Sequence, residues 1–85
     1  MTKKEIKKLI IDSDYKNDSH RPVIRWSYDF KDNAGKWHSS TYETIWLNGK
    51  FQLYYSDLDD LVDRIFYDSN DATHRNFKLI VGGKK

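Results

Sequence analysis

The sequence predicts one two-layer α+β domain in the element order α-β-β-β-α-β. Three observations carry this. A lysine-rich segment near the start and an aspartate-rich one around residue 60 each bear an apolar stripe at helical spacing. Between them, apolar and polar residues alternate with a period of two. Two turn signals, Asp32-Asn33-Ala34-Gly35-Lys36 and Asn48-Gly49, cut the alternating region into antiparallel strands. Helices segregated from a run of antiparallel strands define the class, and one apolar face per element places both helices on the same side of the sheet.

The first helix is predicted at about 3–12. Thr2 and Glu5 have capping-box spacing, in which each side chain takes a free backbone N–H of the other residue. Ile6, Leu9 and Ile10 fall on one face and lysines on the other. Asp12 to Arg21 is polar and reads as a loop, and Pro22 stands where a strand can begin.

Register arithmetic then orders the strands. A three-residue loop with Gly35 in the left-handed conformation pairs Asp32 with Lys36, which sets Phe30 opposite His38, Tyr28 opposite Ser40, Trp26 opposite Tyr42 and Ile24 opposite Thr44. A two-residue type I′ turn at Asn48-Gly49 pairs Leu47 with Lys50, so Trp46 faces Phe51, Thr44 faces Leu53 and Tyr42 faces Tyr55. The two registers agree. Ile24, Trp26, Tyr28, Phe30, Tyr42, Trp46, Phe51, Leu53 and Tyr55 share a core face. Val23, Arg25, Ser27, Asp29, Trp37, Ser39, Thr41, Glu43, Ile45, Gln52 and Tyr54 share the open one. A one-residue slip in either hairpin would scramble this separation. The expectation is a three-stranded meander.

Ser56 is the expected N-cap of the second helix, with Asp57, Asp59 and Asp60 at the positive end of its dipole. Leu58, Leu61, Val62, Ile65 and Phe66 form its apolar stripe, and Asp68-Ser69-Asn70-Asp71 stops it. Phe77, Leu79 and Val81 alternate with Lys78 and Ile80, giving a short fourth strand. Residues 1–2 and 82–85 are expected to fray, so the single domain spans 1–85.

Length and composition bound the function. Eighty-five residues support one modest core, and the lack of cysteine removes disulfides and thiolate metal sites. No run approaches the roughly 20 apolar residues of a membrane span, so a cytoplasmic protein is expected. The net charge is +2, but without residues 1–8 and 84–85 the chain has 9 cationic and 12 acidic residues. The basicity is therefore terminal, and the high isoelectric point argues only weakly for nucleic-acid binding. A small chain rich in Lys, Asp, Ile, Asn and Tyr suits an AT-rich bacterial or phage genome.

Catalytic and metal chemistry find little support. His20, His38 and His74 are not at ligand spacing, and Asp12, Asp14 and Asp18 lack the turn glycine of a calcium loop. No glycine-rich phosphate loop is present, and no nucleophile stands with a base and an orienting acid. No metal, no cofactor and no enzymatic activity are expected. The αβββα order over residues 2–68 resembles the double-stranded-RNA-binding domain in topology. That family takes phosphates with lysines at the start of its second helix, where this chain has Asp57, Asp59 and Asp60. The resemblance therefore ends at the order of elements.

What remains is a binding surface. Trp37, Tyr54 and Ile45 on the open sheet face, with Arg25 beside them, form the first candidate, for a partner protein or a second copy of the chain. Arg25 is expected to pair with Glu43 across the strands. Asp57, Asp60 and Asp63 on the acidic helix form a second candidate for a basic partner. Nucleic-acid binding is the alternative function, through the open face and Lys3, Lys4, Lys7 and Lys8 of the first helix.

Overall fold

A computed structural model describes residues 1–52 and 57–83. The chain runs α1 (Lys3–Asp12), β1 (Val23–Lys31), β2 (Trp37–Thr44), β3 (Trp46–Leu47), β4 (Lys50–Phe51), α2 (Leu58–Asn70) and β5 (Arg75–Gly83). The class is α+β, as predicted. Leu53, Tyr54, Tyr55, Ser56, Lys84 and Lys85 lie outside the described residues.

Both turns form as their residues dictate. Asp32 and Gly35 close the first hairpin, with Gly35 at φ 82°, and the β1–β2 register is the predicted one from Ile24–Thr44 to Lys31–Trp37. Asn48 and Gly49 sit at φ 55° and 79°, the left-handed pair of a type I′ turn, and Trp46 faces Phe51. The capping box closes α1, with Glu5 Oε1 accepting from the Thr2 N–H at 2.8 Å.

The assembly of the strands differs from a single meander. The main sheet has the order β2-β1-β5, all antiparallel, and β3–β4 is a separate two-stranded sheet. The chain leaves the ladder at Ile45. Thr44 is buried there and its hydroxyl donates to the Gln52 carbonyl at 3.1 Å, while the Gln52 N–H donates to the Ile45 carbonyl. Beyond the break, Trp46 and Phe51 pack on Tyr15 from the loop after α1, with ring centroids 5.3 and 5.2 Å apart. This aromatic trio holds the second hairpin over one end of the core. Tyr15, within the segment that reads as a polar loop, is thus part of the core's rim.

The last strand takes the place beside β1, and it is longer than expected, ending at Gly83. Two irregularities interrupt its pairing with β1, one between Ser27 and Asp29 and one between Val23 and Ile24. Val23, expected on the open face, is buried at the start of β1, beside the second irregularity.

Both helices cover one face of the main sheet. Ile6 and Ile10 of α1 and Leu61, Val62 and Ile65 of α2 meet Ile24, Trp26 and Tyr28 of β1 in one buried cluster with Phe51. Leu9 is 45% exposed instead of sharing that stripe. Asp57, not Ser56, is the N-cap of α2, accepting from the Asp60 N–H at 2.9 Å. Asp68 is 1% exposed and accepts from Trp26 Nε1 at 2.8 Å and Arg64 Nε at 3.1 Å. His74 stacks on Tyr28 with centroids 3.9 Å apart and closes the same corner by a hydrogen bond between Nδ1 and the Asp68 carbonyl. Burial pushes the Tyr28 hydroxyl up to about 12, helped by Tyr42 and by the charge of Asp68.

No helix is long and apolar enough to cross a membrane.

Candidate binding face

Strand alternation sends every second side chain of the main sheet away from the helices. Four rows result. Arg25 lies between Glu43 and Ile80, Ser27 between Thr41 and Lys78, Asp29 between Ser39 and Arg75, and Lys31 beside Trp37. The middle rows carry small side chains on β1 and β2. They floor a shallow depression of ≈650 Å³ lined by Ser27, Asp29, Ser39, Thr41, Asn76 and Lys78, among others.

Asp29 organises this depression. Its carboxylate accepts from Ser39 Oγ and Asn76 Nδ2, both at 2.8 Å, and lies 3.8 Å from Arg75 Nε. The hydrogen bonds from Asn76 and Ser39, then the charges of Arg75 and Lys78, hold it below the usual carboxylate range. Asn76 reaches it from a left-handed backbone, φ 57°, at the irregularity in β5.

Trp37 ends the face. It is 36% exposed, and the Arg75 guanidinium carbon lies 3.6 Å from its ring centroid. The Lys31 ammonium lies 5.2 Å from the same centroid. Both are cation–π distances, so the indole is exposed yet held in place. At the opposite end Arg25 pairs with Glu43, as the register predicts. The face carries four cations, Arg25, Lys31, Arg75 and Lys78, against two carboxylates, Asp29 and Glu43.

The structure brings together only part of the predicted site. Trp37 and Arg25 share the open face but stand at opposite ends, six positions along β1, or about 20 Å. Arg75 and Lys31, not Arg25, flank the tryptophan. Ile45 is half-buried at the strand break, one position beyond the end of β2. Tyr54 lies outside the described residues. Arg75, Lys78 and Ile80 join the face because β5 lies beside β1. No local turn or capping signal in the sequence fixes that neighbour.

The charged helix faces are largely occupied with each other. Lys3 pairs with Asp63 at 3.0 Å and Lys7 with Asp59 at 3.2 Å, while Lys8 pairs with Asp12 along α1 at 2.8 Å. Asp57 is used as the cap and Asp60 has a partner of its own. Lys4 is exposed. Two of the α1 lysines therefore answer two of the α2 aspartates across the helix pair. Among the described residues, no group of three His, Asp or Glu side chains could hold a metal ion.

Comparison with protein-family models, with curated proteins and with solved structures found no match.

Proposed function

We propose that the protein is a small non-catalytic binding module whose open sheet face receives a partner protein. The observation that carries this reading is Trp37, an exposed tryptophan clamped by Arg75 and Lys31 on the face opposite the helices. Tryptophan and arginine anchor protein interfaces more often than other residues. A ring already fixed by its neighbours loses little side-chain freedom on binding. The small Ser and Thr side chains beside it leave room for a partner's groups, with hydroxyls at hand for hydrogen bonds.

Nucleic acid fits this face less well. Two of its four cations already answer carboxylates, Arg25 with Glu43 and Arg75 with Asp29, and both carboxylates would repel phosphates. Both cations near Trp37 also occupy the ring that would otherwise stack a base.

The test is affinity capture with the full chain, comparing wild type with a Trp37→Ala and Arg75→Ala double variant, under nuclease treatment and graded salt. The expected result is a protein retained by the wild type after nuclease and lost with the double variant, whose circular dichroism is unchanged. Truncated anchors of this kind weaken binding by about 30-fold or more. Retention unchanged by the double variant would refute the site. Capture that nuclease removes, and that falls steeply with salt, would instead favour nucleic acid.

A further inference from the structure

Among the described residues, β5 pairs with β1 on one side and its other edge carries no ladder. Between the two irregularities, Lys78–Val81 is the regular part of this edge, and Leu79-Ile80-Val81 holds neither charge nor proline. Natural sheets normally blunt such an edge, because its free N–H and C=O groups are a template for another strand. Here the edge is also apolar. A groove beside it is lined by Leu9, Asp12, Ser13, Leu79, Ile80 and Val81, and Leu9 and Ile80 are 45% and 49% exposed.

We propose that this edge pairs antiparallel with β5 of a second copy of the chain, about a two-fold axis at Ile80, making one six-stranded sheet. The register follows from the residues. Centred on Ile80, the apolar stretch covers itself: Leu79 faces Val81 of the second copy, and Ile80 faces Ile80. Each Lys78 then lies opposite the irregularity at Gly82, a residue with no side chain to meet it. The two Lys78 ammoniums stand four positions apart along the strands, about 13 Å. That exceeds the ~8 Å screening length at physiological salt, so the edge's own cations do not oppose the pairing. A shift of the axis to Leu79 would put Lys78 against Ile80, and a shift to Lys78 would set the two ammoniums face to face. The two-fold contact uses up the free β5 edge of both copies, so pairing through β5 stops at two. The two open faces become one continuous surface with both Ile80 side chains at its centre.

Sedimentation equilibrium of the full chain from micromolar to sub-millimolar concentration tests this. The expected result is a reversible monomer–dimer equilibrium. Ile80→Lys, which sets like charges on the axis, weakens it by about 30-fold or more, as expected for a central anchor. Trp37→Ala, on β2, leaves it unchanged. The chain has no cysteine, so Ile80→Cys provides a second readout: paired strands bring the two Cα atoms to about 4.5–5.5 Å, within disulfide reach. Mild oxidation should then cross-link Ile80→Cys much faster than Lys50→Cys at an exposed remote turn. A chain that stays monomeric throughout, or assembles beyond two copies, overturns the proposal. So does a dimer that Ile80→Lys leaves intact or that Trp37→Ala dissolves.

Discussion

Replacing Asp68 tests what holds the corner between α2 and β1. The wild-type carboxylate is 1% exposed and takes two hydrogen bonds on Oδ2, from the Trp26 indole at 2.8 Å and from Arg64 at 3.1 Å. Its Oδ1 has no partner. Asp68→Leu keeps the branched side-chain shape, adds bulk in its two methyl groups and removes the Asp68 acceptor of the buried Trp26 N–H, at a cost of about 1–3 kcal/mol. Loss of the i, i+4 pair with Arg64, whose side chain is 42% exposed, adds about 0.3–0.5 kcal/mol. Against this, removing a carboxylate with one unsatisfied oxygen from the interior returns part of its desolvation cost. The net expectation is a loss of about 2 kcal/mol. In a domain of this size each kcal/mol moves the thermal midpoint by roughly 4–8 °C, so Tm should fall by about 8–16 °C. Asp68→Asn keeps a carbonyl acceptor for the indole and should cost less than half as much. Thermal and urea unfolding followed by far-ultraviolet circular dichroism separate the two variants. If Asp68→Leu is as stable as the wild type, or more so, desolvation of the carboxylate outweighs its hydrogen bonds and the reasoning is wrong.

Two further outcomes follow from local geometry. Gly49 has φ 79° and open space where a Cβ would be, so Gly49→Val should cost about 1–3 kcal/mol through backbone strain alone, whereas Lys50→Val next to it should be nearly silent; equal urea midpoints for the two would rule out the type I′ turn. Asp29, Asp32 and Asp71 are all held below their ordinary value of 3.8, so the stability they contribute is fully present above that pH and is lost as the pH falls below it; Asp29→Asn should flatten the acid limb of a stability–pH curve, and an unchanged limb would mean that the Ser39 and Asn76 hydrogen bonds do not favour the charged form.

The parts of the site that were legible in the sequence depend on near neighbours. Arg25–Glu43 follows from the Asp32–Lys36 turn and strand alternation alone. The same count places Trp37 opposite Lys31. Arg75 could not be placed that way, because its approach to Trp37 requires β5 to lie beside β1 and to bulge at Asn76. A hint was present in the residues. The core-facing positions of β1 are Ile24, Trp26, Tyr28 and Phe30, whereas those of β2 are His38, Ser40, Tyr42 and Thr44. The more apolar strand belongs at the centre of the sheet, where neighbours shield it on both sides. Asp68, expected to help stop α2, instead lies inside it, because the helix runs on to Asn70 and Asp68 continues the spacing of Leu61 and Ile65 toward a buried partner, the Trp26 indole.

The sequence by itself determined the α+β class, the start of α1, both hairpin turns and the β1–β2 register. Capping, left-handed turn residues and side-chain alternation are settled among residues a few positions apart, so their energetics are written locally. The tertiary structure alone decided which strand completes the main sheet, where the second hairpin folds and which charges stay available. Tyr15 draws Trp46 and Phe51 away from the β2 ladder, and the α1 lysines meet α2 aspartates more than fifty residues distant. Such choices depend on which apolar surfaces and unpaired strand edges meet once the chain has collapsed, and no short window of residues encodes that competition.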